Sequence, residues 1–339
     1  MSPLTLTGSD ELELFYKNKF WFSYSSINKL LFSPRMFYSH YVLNQREDST
    51  DAHLVAGRVL HCLLFEPDEY DKHFISMPGK FPTDSQRKII DKLFKYHCTL
   101  GNSTLTLEDY DQEILNELSV TNLYQTLKTD QQRLDKVLTD ENKFYFDFLK
   151  ESVNKTVVDS ITLENCKESV IELKTNKSVR ALLQLDKTDA DVHIKTFSEH
   201  MISINPDYVP FGYKGILDNI VMDYDTKTLF INDLKTTGKD ISSFPDSVNY
   251  YKYWIQAAIY HKLVWTNFIK GLDDADEWNI IITFIVIDKY NQVYPYQVSK
   301  ETLEVWLSDF EDIEDKLKYH YINKDYKLPY ELAIGNVKL

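Results

Sequence analysis

Residues 211–237 read FGYKGILDNIVMDYDTKTLFINDLKTT, and this stretch decides the fold. Two apolar runs, Gly215-Ile216-Leu217 and Leu229-Phe230-Ile231, lead into aspartates, Asp218 and Asp233. Between them, Asp223-Tyr224-Asp225-Thr226-Lys227 is rich in turn-forming residues. The pattern predicts two strands, Phe211–Met222 and Thr228–Thr236, returning on one another as a hairpin. Strand side chains alternate, so Asp233 and Lys235 share a face and the hairpin brings Asp218 alongside them. Acids and lysines near a hairpin are by default solvated surface. An aspartate at the end of an apolar strand run is not at a default exposed position. Two carboxylates converging on one point are costly unless a cation sits between them. Hard oxygen donors suit Mg²⁺, with Mn²⁺ as the alternative. A lysine two residues on can orient an attacking water and offset charge in the transition state.

Working outward, Asp191–Ile204 reads as a preceding strand, with Asn205-Pro206-Asp207 as the turn. A helix over Asp246–Phe268, a buried strand Ile280–Ile287, its neighbour Gln292–Val298 and a last helix Glu301–Tyr321 follow. Strands flanked by helices make residues 186–339 an α/β core. Residues 76–185 read as a helical insertion, with helices at Ser85–Cys98, Leu107–Leu118, Asp130–Lys150, Leu163–Leu173 and Ser178–Leu183. Residues 1–75 form N-terminal helices. One is capped by Ser25 or Ser26 and runs to Leu31, and one is opened by Pro34. The third runs over Asp51–Phe65, with Leu54, Gly57, Val59, Leu60, Leu63 and Leu64 as its buried face. The three segments are read as one composite domain with a helical N-terminal half.

Two further groups carry chemistry. His61 stands on the largely apolar third helix, one turn after Gly57, with Glu66 just beyond. A lone histidine there is more often a satisfied core residue than a ligand. A glycine inside a helix costs about 1 kcal/mol, so Gly57 marks a close approach of another element. Gln256 and Tyr260 lie four apart, on one helical face, among aromatic residues that mostly serve packing. Side by side, the amide and the hydroxyl can donate to a phosphate.

The chain has 339 residues, 43% of them hydrophobic, which is ample for a buried core. Its 38 basic and 52 acidic residues leave a net charge of −14, which excludes a simple basic coat for nucleic acid but not an enzyme whose local groove is basic. Candidate phosphate contacts are Lys88 and Lys92, in a row with Lys95 near Lys80 and Arg87, and Lys239 and Lys252 near the proposed centre. A solvated helix face is the plainer account of the first row. Three scattered cysteines, Cys62, Cys98 and Cys166, form no CxxC pair, against a zinc ribbon or a disulfide framework. The start of the chain lacks the pattern of a secretory signal, and the longest apolar run is far short of a membrane span. The expectation is a soluble protein of a reducing cytoplasm. There is no GxSxG elbow, Walker A loop or GxGxxG motif. Asp223-x-Asp225-x-Lys227 starts like a calcium loop, but its twelfth position is Leu234.

In order along the chain stand Gly57-x-x-x-His61, Leu64-x-Glu66-Pro67, Gly215-x-x-Asp218, Asp233-x-Lys235-Thr236-Thr237 and Gln256-Ala257-Ala258-x-Tyr260. This set resembles the PD-(D/E)xK nuclease superfamily and, more closely, the exonuclease VIII (RecE-type) branch of phage and prophage recombination exonucleases. The opening Tyr24-Ser25-Ser26-Ile27 through Ser33-Pro34 and the helix from Thr162 to Leu183 are similar to that branch too. Residues 76–155 carry no such likeness, and no proline precedes Asp218. The resemblance implies a restriction-endonuclease-like mixed sheet flanked by helices. It implies Asp218, Asp233, the Leu234 carbonyl and His61 as metal ligands, and Lys235 positioning the water. Gln256 and Tyr260 would hold substrate and catalytic groups, and Glu66 would match a family acid. It further implies Mg²⁺-dependent 5′-to-3′ digestion of duplex DNA from free ends, a ring-shaped homo-oligomer, and recombination beside a single-strand annealing protein. Two alternatives stay open: a structure-specific endonuclease of the same fold, and a non-catalytic DNA-binding adaptor.

Overall fold

The computed structural model describes residues 15–17, 19–45, 51–101, 104–185 and 192–336. Its strands, in chain order, are β1 (Trp21–Phe22), β2 (Phe74–Ser76), β3 (Thr156–Val158), β4 (Ile194–Ile204), β5 (Gly212–Asp223), β6 (Thr228–Thr237), β7 (Asn279–Asp288) and β8 (Val293–Gln297). The fold is mixed α/β with a helical N-terminal region. The chain divides into two compact units. A sheet unit holds the described residues up to Gly57, Leu64–Glu66 and the described residues from Glu168 onward. A helical unit holds 58–63 and 67–167. Among the described residues no helix is long and apolar enough to cross a membrane.

In the sheet unit the strands run β1-β5-β6-β7-β8, with β4 also on β5. The β4–β5, β5–β6 and β7–β8 pairs are antiparallel, and β1–β5 and β6–β7 are parallel. β4 covers one edge of β5 over nearly its whole length. The other edge is shared: β1 pairs at Gly212 and Tyr213, and β6 pairs from Asn219 to Asp223. Between those two contacts, residues 214–218 of β5 have no strand beside them on that edge. The sheet forks there, and Asp218 stands at the fork.

The core lies on one side of this sheet. Ile255, Ala258, Ile259 and Leu263 of the helix Tyr253–Val264 are buried with Tyr213, Leu217, Ile202 and Ile231. Phe310, Leu317 and Tyr321 of the helix Lys300–Asn323 join the same cluster. Gly215 makes the close packing feasible: a Cβ there would lie 2.8 Å from the Tyr260 ring and 3.0 Å from Leu263 Cδ1. On the opposite side, Asn219 and Asn232 bond to one another at 2.8 Å. They donate to the last carbonyls of the helix Lys177–Leu183, Asn219 to Leu183 at 3.1 Å and Asn232 to Leu182 at 3.0 Å. Helix ends leave such carbonyls without intrahelical partners, so the pair anchors that helix to the sheet.

The helical unit packs Asp84–Leu100, Asp111–Val120, Asp130–Val137 and Asp140–Glu151 around Ile90, Leu93, Ile114, Leu118, Val137 and Phe146. The short parallel pair β2–β3 completes its strands.

Several local expectations change. The first helix, Tyr24–Phe32, is capped by Ser23 in a reciprocal capping box with Ser26, rather than by Ser25 or Ser26. Leu54 is exposed rather than part of the buried face of Ala52–Phe65. Residues 130–150 are two helices because Thr139 caps the second and the buried Asn142 amide donates to the Val137 carbonyl at 2.7 Å. The helix expected over Asp246–Phe268 is broken. Phe244–Tyr250 ends, Lys252 takes φ 57°, and Tyr253–Val264 starts afresh before a wider turn, Trp265–Ile269. β1, β2 and β3 are too short for a periodicity signal. The expected strand start at Asp191 lies outside the described residues.

Candidate active site

The β5–β6 register ends at Asn219↔Asn232, and one more step would set Asp218 opposite Asp233. The ladder opens there instead. The Leu234 N–H, which a paired strand would give to a carbonyl, donates to Asp218 Oδ2 at 2.7 Å. Asp218 is 8% exposed and Asp233 1% exposed, so both carboxylates are withdrawn from bulk water.

Asp218 is held by the neighbouring strand β6, and Asp233 by its own strand and the next helix. Lys235, two residues beyond Asp233 on β6, pairs with Asp233 Oδ2. Its ammonium also lies 4.8 Å from the centroid of the Tyr253 ring. Gln256 Nε2 donates to Asp233 Oδ1 at 2.9 Å and to the Tyr260 hydroxyl at 2.9 Å. The Tyr260 hydroxyl in turn donates to the Ile216 carbonyl at 2.7 Å, in the part of β5 that no strand flanks on the fork side. The i, i+4 spacing of Gln256 and Tyr260 therefore stitches Asp233 on β6 to the open edge of β5. Tyr24 and Asn28 of the first helix donate to the Tyr251 carbonyl at 2.6 and 3.0 Å, which secures the chain just before the left-handed Lys252.

The electrostatics follow the geometry. Burial alone pushes the Lys235 ammonium pKa down, but Asp233 and Asp218 outweigh it and hold it above the ordinary lysine value. Burial, then Asp233 and Asp218, raise the Tyr260 hydroxyl well above its usual range. At neutral pH the centre thus presents an ammonium and a protonated phenol against carboxylates.

A further acid, absent from the sequence reading, belongs to this centre. A carboxylate oxygen of Glu199 on β4 lies within 4.8 Å of one of Asp218. The core-facing residues of β4 are Phe197 before it and Ile202 and Ile204 after it. Those of β5 are Tyr213 and Leu217, then Ile220 and Met222. Each strand slips its alternation by one residue, and the slips fall at Glu199 and Asp218, the only step within Ile194–Ile204 at which the ladder has no pair. Glu199 has φ 44°, the left-handed region, which a non-glycine residue enters at a cost. Such distortions re-aim side chains beside active sites. No periodicity rule could have found it, because the rule assumes unbroken alternation; the only visible sign was an acid inside a strand run.

The remaining expected residues are placed as follows. His61 is half-buried on the helix Ala52–Phe65, in the stretch 58–63 that groups with the helical unit. Glu66 follows that helix and is exposed. A Cβ on Gly57 would meet only Thr236 Oγ1, at an ordinary 3.8 Å, so this glycine is not forced by crowding. Lys239 is exposed after β6, and Lys252 is half-buried at the helix break. Lys88 is exposed, whereas Lys92 pairs with Glu117 at 2.6 Å.

The donor set fits a hard divalent cation. Asp218 and Asp233 are buried carboxylates with an ammonium already drawn onto one of them, and Gln256 Oε1 is buried with no hydrogen-bond partner among the described residues, an acceptor to spare. Residues 21–319 match the profile of the PD-(D/E)XK nuclease superfamily, whose members use divalent metals. A comparison with curated proteins finds no match. Among solved structures, an exonuclease candidate from Eubacterium rectale aligns over 99% of this chain and 95% of its own, at 12% identity and a TM-score of 0.45.

Proposed function

This chain belongs to the PD-(D/E)XK nuclease superfamily, and from that premise we propose that it is a metal-dependent exonuclease that hydrolyses phosphodiester bonds of duplex DNA. The observation that carries the reading is the convergence of Asp218, Asp233, Lys235 and Gln256 at the fork of the sheet. Asp218, Asp233 and the Leu234 carbonyl would hold Mg²⁺, with His61 as a further ligand. The ion, when bound, supplies Lewis-acid polarisation of the phosphate and a water of lowered pKa.

The chain's own groups do the rest. Lys235, released from Asp233, points its ammonium at the attacking water and the developing charge on phosphate. Gln256 orients Asp233 by donating to it. Tyr260 fixes Gln256 and ties it to the Ile216 carbonyl, so the two carboxylates move as one body. Glu66 is proposed as a further catalytic acid, and Lys239 and Lys252 as phosphate contacts, with Lys88 as an outlying one.

The finer reading is 5′-to-3′ digestion of one strand from free ends, in a ring-shaped homo-oligomer that works in recombination with a single-strand annealing protein in the cytoplasm. The test is an end-labelled linear duplex with Mg²⁺, beside a covalently closed circle. Release of mononucleotides from the 5′-labelled strand, with the circle intact, is the expected result. Nicking of the circle would make the protein an endonuclease of the same fold, and no cleavage of either by any divalent ion would remove the nuclease reading.

A further inference from the structure

The two faces of the β4–β5 ladder are unequal beyond the catalytic end. On the core face Ile202, Ile204, Tyr213 and Leu217 are 5%, 8%, 0% and 0% exposed. On the other face Met201 pairs with Ile216, and Ser203 with Lys214. Met201 is 72% exposed, Ile216 48%, and Ser203 and Lys214 are exposed too. Lys214 makes no ion pair with a described residue. The strip starts at the acids, since Ile216 is two residues before Asp218 and Met201 two after Glu199. At about 3.3 Å per residue, Lys214 stands roughly 13 Å from Asp218.

We infer that this bare strip is the track of a single nucleic-acid strand leading into the catalytic centre, with Met201 and Ile216 against sugar and base and Lys214 on a backbone phosphate. The inference rests on the nuclease reading and specifies how that site holds its substrate. Three observations choose this occupant. The strip is continuous with the carboxylates that would act on a phosphodiester. Its apolar pair lies next to the reacting position and its one cation farther out, as a strand with alternating apolar and anionic parts requires. Four side chains are also far too little surface for a second protein copy, which needs about 800 Å² per partner.

The test measures binding without turnover, by fluorescence anisotropy of a labelled duplex with a single-stranded tail, in Ca²⁺ over a range of salt. Lys214→Gln should weaken binding several-fold at low salt and reduce the slope of log affinity against log salt by about one. An unchanged slope overturns the assignment of Lys214. Independently, Ile216→Cys in a Cys98→Ser background should react with a maleimide at least about tenfold more slowly when DNA is bound, with Tyr290→Cys as the exposed control. Equal reaction with and without DNA overturns the track, as does protection that grows with protein concentration alone. The nuclease reading fails separately: a wild type that cleaves nothing, with the Lys214→Gln slope change and the protection of Ile216→Cys still seen, keeps the track and loses the enzyme.

Discussion

The two units bury polar groups for different ends. In the helical unit the described buried polar residues are His97 and Asn142, and each is satisfied close by. His97 Nδ1 meets the Tyr110 hydroxyl at 2.7 Å, and Asn142 holds the Val137 carbonyl. In the sheet unit, Asp218, Asp233 and Gln256 come from two strands and a helix and converge on one place. A buried polar group that closes a local turn stabilises a fold. Buried charges gathered from distant elements cost stability, a cost that the proposed function would account for by chemistry.

That contrast can be broken by experiment. The largest effect belongs to Asp233→Ala, which should lower nuclease turnover by about 10³-fold or more while far-UV circular dichroism stays native. Loss of fold together with activity would make Asp233 structural, like Asn142. Next comes Gly215→Ala. The added Cβ would push on the Tyr260 ring and Leu263, so urea titration should show a loss of up to about 3 kcal/mol, and an unaltered midpoint would deny the close packing. The third concerns acid. Burial, with Lys262 beside it, lowers His261 in the sheet unit to about 4. Between that value and the ordinary 6.5 the unfolded chain binds more protons, so stability rises with pH across this window and falls on acidification. Going from pH 6.5 to 5 should cost about 2 kcal/mol, and His261→Gln should remove that slope. Equal slopes in both proteins would place the acid sensitivity elsewhere. The smallest effect is expected of Asn142→Ala: about 1–2 kcal/mol of stability, from the Val137 carbonyl left unpaired, with turnover unchanged.

Much of this was legible from residue order. The hairpin, its two aspartates, the lysine and the Gln256–Tyr260 pair follow from alternation and helical spacing, and each of these residues lies on an element of the expected type. The fold class was legible for the same reason, since apolar strand runs and amphipathic helices announce themselves in any window of about a dozen residues. The break at Lys252 was not, because it depends on Tyr24 and Asn28, more than two hundred positions away, gripping the Tyr251 carbonyl. Nor was Glu199, whose place in the centre comes from a one-residue slip that local periodicity cannot signal.

The sequence by itself determined which chemical groups the molecule has and which of them ride on the same strand or helix, because those relations are set by the fixed periods of backbone geometry. Only the tertiary structure decided that the ladder would open at Asp218, that its carboxylate would take the Leu234 N–H, and that an acid from β4 would turn toward it. Those outcomes depend on where unpaired backbone groups find partners once distant segments meet, and no run of neighbouring residues encodes that.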